Sequence, residues 1–187
     1  MIRNFFSFTF ELVKVVIISL AIIIPIRYFL IQPFCVKGAS MEPSFYDHEY
    51  LIINEISYRF SEPQRGDIVV FKYPRNPQEY FIKRIVSLPG EKVRLSDGEV
   101  YLYNKEYPKG FKLAEPYLAA GVKTYGLNEE VVSLESDEYY VLGDNRNSSK
   151  DSRSFGPVKR DFITGKVLIR GWPFNRINLF PTPEYSY

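Results

Sequence analysis

The sequence predicts a mostly β protein: an antiparallel β domain carried behind one N-terminal transmembrane helix. Three observations predict it. Residues 12–31 read LVKVVIISLAIIIPIRYFLI, about 20 largely apolar residues, the length a helix needs to cross a bilayer. After them come short segments rich in β-branched and aromatic residues, bounded by turn formers. Asp97-Gly98 stands between two alternating segments, a strong hairpin signal.

The elements follow in chain order. Residues 1–11 precede the anchor, which occupies 12–31. Lys14 and Arg27 lie near its ends, where long side chains reach the headgroups, and Tyr28, Phe29 and Phe34 suit an aromatic girdle. Pro25 is tolerated in a membrane helix, with a kink. A cleavable leader fits less well, because Arg27 interrupts the run and Val36-Lys37-Gly38 lies too far beyond it to be the cleavage site. Residues 32–187 form the β domain. Strands are expected at 50–54 (YLIIN), 67–73 (DIVVFKY), 80–87 (YFIKRIVS), 92–95, 99–103, 138–142 (EYYVL) and 166–170 (KVLIR). Residues 108–135 are less patterned and read as an excursion from the main sheet. Residues 143–156 are polar and irregular.

Composition narrows the chemistry. A net charge of +2 is too balanced to argue for nucleic acid. One cysteine, Cys35, excludes an internal disulfide, and one cysteine with one histidine, His48, argues against a metal site. The reactive groups must come from Ser, Lys, Asp, Arg or Tyr.

Four segments stand out: Gly38-Ala39-Ser40-Met41-Glu42-Pro43, Arg65-Gly66-Asp67, Ile82-Lys83-Arg84-Ile85-Val86, and Gly143-Asp144-Asn145-Arg146 with Ser149, Asp151, Ser152 and Arg153. Lys83 shares a strand face with Phe81 and Ile85. If that face is inside, burial lowers the amine's pKa, and a neutral lysine can serve as a general base. Read singly, each segment has a plain alternative: a solvated strand charge at Lys83, a local turn at Ser40, a polar turn with a salt bridge at Asp144.

Taken together and in this order, the segments resemble the type I signal peptidases, membrane-bound serine proteases that remove signal peptides from exported proteins. The resemblance runs from the end of the anchor to Arg153, except for residues 108–135, which match no motif. It implies Ser40 as nucleophile and Lys83 as base, with Ser149 hydrogen-bonding the lysine amine. Asp151 and Arg153 would support the site by an ion pair, with Asp144 nearby. Such a Ser-Lys dyad needs no histidine, which leaves His48 as a surface residue. The Ser40 amide would supply one oxyanion donor. Gly38 would complete the oxyanion site; many relatives carry a serine there whose hydroxyl is the second donor, so here a backbone N–H or a water must substitute. Matching positions imply that Phe34, Val36, Met41, Phe45, Val70, Phe81 and Ile82 line shallow pockets for an Ala-x-Ala-like signal peptide. The implied setting is the cytoplasmic membrane, with residues 1–11 inside and the catalytic domain outside, touching lipid. No cofactor is implied, and the chain is expected to act as a monomer. Two alternatives stay open: a protease of the same dyad with one dedicated partner, and a catalytically inert membrane-tethered binding module.

Overall fold

A computed structural model of the chain describes residues 2–29, 32–126, 130–182 and 185, with side chains at 8–24 and from 33 onward. Helix α1 (Ile2–Phe29) begins well before residue 12, and its side chains from 8 to 24 are exposed all round. Among the described residues no helix is long and apolar enough to cross a membrane. The far end of the expected anchor lies outside the described residues: residues 30–31 and the side chains of Pro25, Arg27, Tyr28 and Phe29.

The domain then runs through β1 (Gln32–Cys35), β2 (Tyr50–Asn54), α2 (Ser57–Phe60), β3 (Ile68–Tyr73) and β4 (Asn76–Ser87). It continues with β5 (Lys92–Ser96), β6 (Glu99–Tyr103), β7 (Phe111–Lys112), β8 (Val132–Ser133) and β9 (Glu138–Leu142). Helix α3 (Ser152–Phe155), β10 (Val158–Lys159), β11 (Ile163–Trp172) and β12 (Asn178–Leu179) complete it. The larger sheet has the order β1-β2-β11-β3-β4-β9-β10, with β12 also paired to β11, and the smaller one β7-β6-β5-β8. Every registered pair in both is antiparallel.

Sequence explains why β3 lies at the centre. Its Ile-Val-Val-Phe run has no polar face, and period-two geometry sends alternate residues to opposite sides. Ile68 and Val70 join a core with Val36, Met41, Phe45, Leu51, Ile53 and Val167, whereas Val69 and Phe71 join one with Ile85, Tyr139, Val141 and Ile163. A third core lies under the smaller sheet, where Val93, Leu95, Val100 and Leu102 meet Val86, Tyr140 and Leu142. The β5–β6 turn has positive φ at both Asp97 and Gly98, as a two-residue type I′ turn requires.

The excursion is not detached. Strands β7 and β8 extend the smaller sheet at its two edges, and Leu113 and Leu134 enter its core. Two-residue strands carry no readable period, so this pairing was hidden in the sequence. His48 sits exposed in the β1–β2 connection beside Asp47.

Candidate active site

Ser40 lies in the connection between β1 and β2. Gly38, at φ +83°, turns the chain there, and its N–H donates to Asp47 Oδ1 at 2.8 Å. Met41 and Phe45 then anchor a hydrogen-bonded turn: both are fully buried, and the Phe45 amide donates to the Met41 carbonyl at 2.8 Å. Ser40 itself stays half-buried at the edge of that turn.

Lys83 comes from the middle of β4, opposite Val69 on β3. It is 3% exposed, and its Nζ lies 2.7 Å from Ser40 Oγ and 2.7 Å from the Ile82 carbonyl oxygen. Burial pushes its pKa down to about 8, against an upward pull from the Asp151 and Asp144 carboxylates. An amine so placed is neutral in a useful fraction of molecules near neutral pH, and it is within hydrogen-bonding reach of a hydroxyl.

The loop after β9 closes the site from the other side. The Asn145 amide donates to the Ser40 carbonyl oxygen at 3.1 Å, and its side-chain nitrogen donates to the Ala39 carbonyl oxygen at 3.1 Å. Asp151 caps α3 through the Arg153 amide, accepts both Nε and Nη2 of Arg153 at 2.8 Å, and accepts the Gly143 amide at 3.1 Å. Asp144 pairs with Arg84 by two hydrogen bonds of 2.9 and 2.7 Å and accepts Ser44 Oγ at 2.6 Å. Ser149 Oγ is buried without a hydrogen-bond partner among the described residues. The contact to the lysine amine expected from the resemblance is therefore not made, and Nζ uses the Ile82 carbonyl instead.

A cleft of about 660 Å³ opens beside Ser40 and Lys83. Of the seven expected pocket residues, Phe34, Val36, Val70, Phe81 and Ile82 line it. Met41 and Phe45 do not: they lie behind it in the core, because the turn after Ser40 carries them inward. Leu51 and Tyr80 line it as well, with Lys37, Gln78, Glu79 and Lys150 among its polar lining. Among the described residues no cluster of three His, Cys, Asp or Glu is placed to hold a metal.

Sequence reasoning missed the environment of Arg84, which is 5% exposed and stacks 3.9 Å over the Tyr117 ring. Lys83 and Arg84 are adjacent on the strand and both buried, since this half of β4 is covered on both faces. A buried charge needs a partner, and Asp144 supplies it.

Gly143 is packed so closely that an added Cβ would lie 2.1 Å from Ser149 Oγ and 2.5 Å from the Ser40 carbonyl oxygen. The second of these is backbone and can yield only by moving Ser40. Gly143→Ala is expected to fold and lose roughly a hundredfold in turnover, since displacements near 1 Å have that effect. Turnover within twofold of wild type would show that the approach of these two loops is not critical.

The signal peptidase, peptidase S26, family pattern matches residues 9–172. A probable signal peptidase I-2 of Synechocystis is 38% identical over 174 residues, covering 90% of this chain and 76% of its own length. A signal peptidase I of Bacillus amyloliquefaciens is 36% identical over 172 residues, 88% of either chain. A signal peptidase IB of Staphylococcus aureus is 34% identical over 187 residues, covering 90% of this chain and 94% of its own. A crystal structure of a signal peptidase I from Enterococcus faecalis is 32% identical, covers 57% of this chain and 97% of its own, and gives a TM-score of 0.46. With a family match across most of its length and relatives above 30% identity along nearly all of it, the chain belongs to the signal peptidase family, peptidase S26.

Proposed function

We propose that this chain removes signal peptides from exported preproteins, with Ser40 as nucleophile and Lys83 as general base. The observation that carries the reading is the 2.7 Å approach of a buried lysine amine to a serine hydroxyl at the edge of an apolar cleft. In its neutral form Lys83 Nζ accepts the Ser40 hydroxyl proton, while one of its N–H groups is held by the Ile82 carbonyl. Ser40 Oγ attacks the scissile carbonyl carbon to form an acyl-enzyme, and the lysine hands its proton to the leaving amine. The same amine then deprotonates the water that releases the acyl group. The Ser40 amide is one oxyanion donor. Gly38 has no hydroxyl to offer and its own N–H is engaged by Asp47, so the second donor is a water or a further backbone amide. Asp144, Asp151, Arg153 and Ser149 support the two loops that meet at Ser40.

The substrate lies extended along the cleft between residues 34–37 and 78–83. Alternate side chains of an extended peptide enter the same wall, and the Phe34, Val36, Val70, Phe81 and Ile82 side chains leave room there for alanine-sized groups. Residues 12–31 anchor the chain in the cytoplasmic membrane, with residues 1–11 inside and the catalytic domain outside. The exposed apolar side chains Trp172, Phe174 and Leu179 add a surface that rests on lipid. Anchoring enzyme and substrate in one plane raises their effective concentration.

The test is to incubate the full chain, in detergent micelles, with a preprotein bearing an Ala-x-Ala site and to sequence the new N-terminus. Cleavage directly after the second alanine, abolished when that alanine becomes phenylalanine, is the expected result. An uncut preprotein, or a cut elsewhere, would remove the assignment.

A further inference from the structure

The segment 108–135 matches no motif, yet it is fastened to the loop that closes the site. We propose that Glu115, in this segment, is a positioning residue for the reaction: through Arg146 it holds the 143–146 loop against the backbone of Ser40. The inference rests on the reading of Ser40 as nucleophile. Arg146 Nη1 and Nη2 donate to the two Glu115 oxygens at 3.0 and 2.5 Å, and Nη1 also donates to the Thr124 hydroxyl. Arg146 Nε donates to the Gly143 carbonyl oxygen at 3.0 Å. Gly143 is thus gripped at its carbonyl by Arg146 and at its amide by Asp151. Between Gly143 and Arg146 stands Asn145, whose amide and side chain donate to the Ser40 and Ala39 carbonyls. A continuous path of hydrogen bonds and two residues of backbone therefore joins Glu115 to the nucleophile.

The pair is built for this. The Arg146 side chain is fully buried and that of Glu115 is 9% exposed. A buried charge pair adds little net stability over apolar packing, but it fixes geometry, because both guanidinium edges must be matched at once. Its far end rests on the loop that sets where Ser40 stands relative to Lys83.

The test uses Glu115→Gln in the full chain, which keeps the shape and removes the charge. We expect kcat on the preprotein to fall ten- to a hundredfold with KM unchanged. The rising limb of the kcat/KM profile should also move to higher pH, because a loosened loop admits water to Lys83. The charged groups around that amine stay in place in the variant: Asp144 with Arg84, Asp151, and Lys37, Glu79 and Lys150 across the cleft. Arg146→Lys, which also loses the Nε bond to the Gly143 carbonyl, should cost at least as much as Glu115→Gln, and the double variant should cost less than the two losses added together. A folded Glu115→Gln with wild-type kcat and pH midpoint overturns the proposal, as does a loss confined to KM. If Glu115→Gln does not fold, Glu115→Asp decides by the same two readouts. Ser40→Ala in the same assay separates the two ideas. An inactive Ser40→Ala beside an unaffected Glu115→Gln sinks the positioning role alone, and an active Ser40→Ala sinks the nucleophile and this inference with it.

Discussion

Lys83→Ala is expected to fold and to lose at least about a thousandfold in kcat/KM, with Ser40→Ala equally inactive. A positioned base supplies on the order of 10²–10⁴ in rate, and groups that act as a unit are lost together. The wild-type kcat/KM should rise with pH through a midpoint near 8, because burial holds the Lys83 amine there and only its neutral form accepts the serine proton. The same shift governs stability. The folded value, about 8, lies below the ordinary 10.5, so between these two pH values the unfolded chain holds more protons and stability rises with pH. Below pH 8 the full cost of the buried ammonium is present, on the order of 3 kcal/mol. Lys83→Met should therefore be inactive yet no less stable at pH 7, and should lose the rise in stability above pH 8. Thermal unfolding at pH 7 and 9.5 checks this. Near-full activity in either Lys83 variant would mean that another group takes the Ser40 proton.

Arg84→Ala should destabilise the fold by about 3–5 kcal/mol, the usual cost of stripping one partner from a buried pair. Arg84 gives Asp144 two hydrogen bonds, donates to the Gly66 carbonyl at 3.0 Å, and stacks on Tyr117. Without it the Asp144 carboxylate, whose side chain is fully buried, retains Ser44 as its side-chain donor. For a domain of this size the midpoint of thermal unfolding should drop by roughly 10 °C. Adding Asp144→Ala should recover part of that loss, because the stranded charge is then gone. A drop under about 1 kcal/mol for Arg84→Ala would show that water or a proton compensates Asp144.

Much of this was legible in the chain. The strands with strong period-two patterns were foreseen near their observed limits, and so was the Asp97-Gly98 hairpin, because local chemistry decides them. Strand β4 runs from Asn76 rather than 80 because its first half is exposed and pairs with β3 without apolar alternation. Ser40 and Lys83 were named from ordered segments whose spacing in space no single segment displays. Partners of buried charges were not legible. Arg84 with Asp144, Arg146 with Glu115, and Arg65 with Glu91 join residues far apart in sequence, and nothing local marks which acid meets which base. Ser149 was expected to bond the Lys83 amine, but its hydroxyl has no partner among the described residues and the lysine bonds its own strand's Ile82 carbonyl. Met41 and Phe45 stand at pocket positions by the resemblance, and only the turn closed by the Phe45 amide on the Met41 carbonyl shows that they enter the core.

The backbone link from Asn145 to Ser40 also bears on the order in which the site assembles. The two residues are separated by most of the domain, so the loop closure that joins them is among the costliest contacts in the fold. A chain emerging from the ribosome holds Ser40 and Lys83 long before it holds Gly143 to Arg153. Until that segment arrives, the bonds from Asn145 to the Ser40 and Ala39 carbonyls are missing, so this side of the site is completed late.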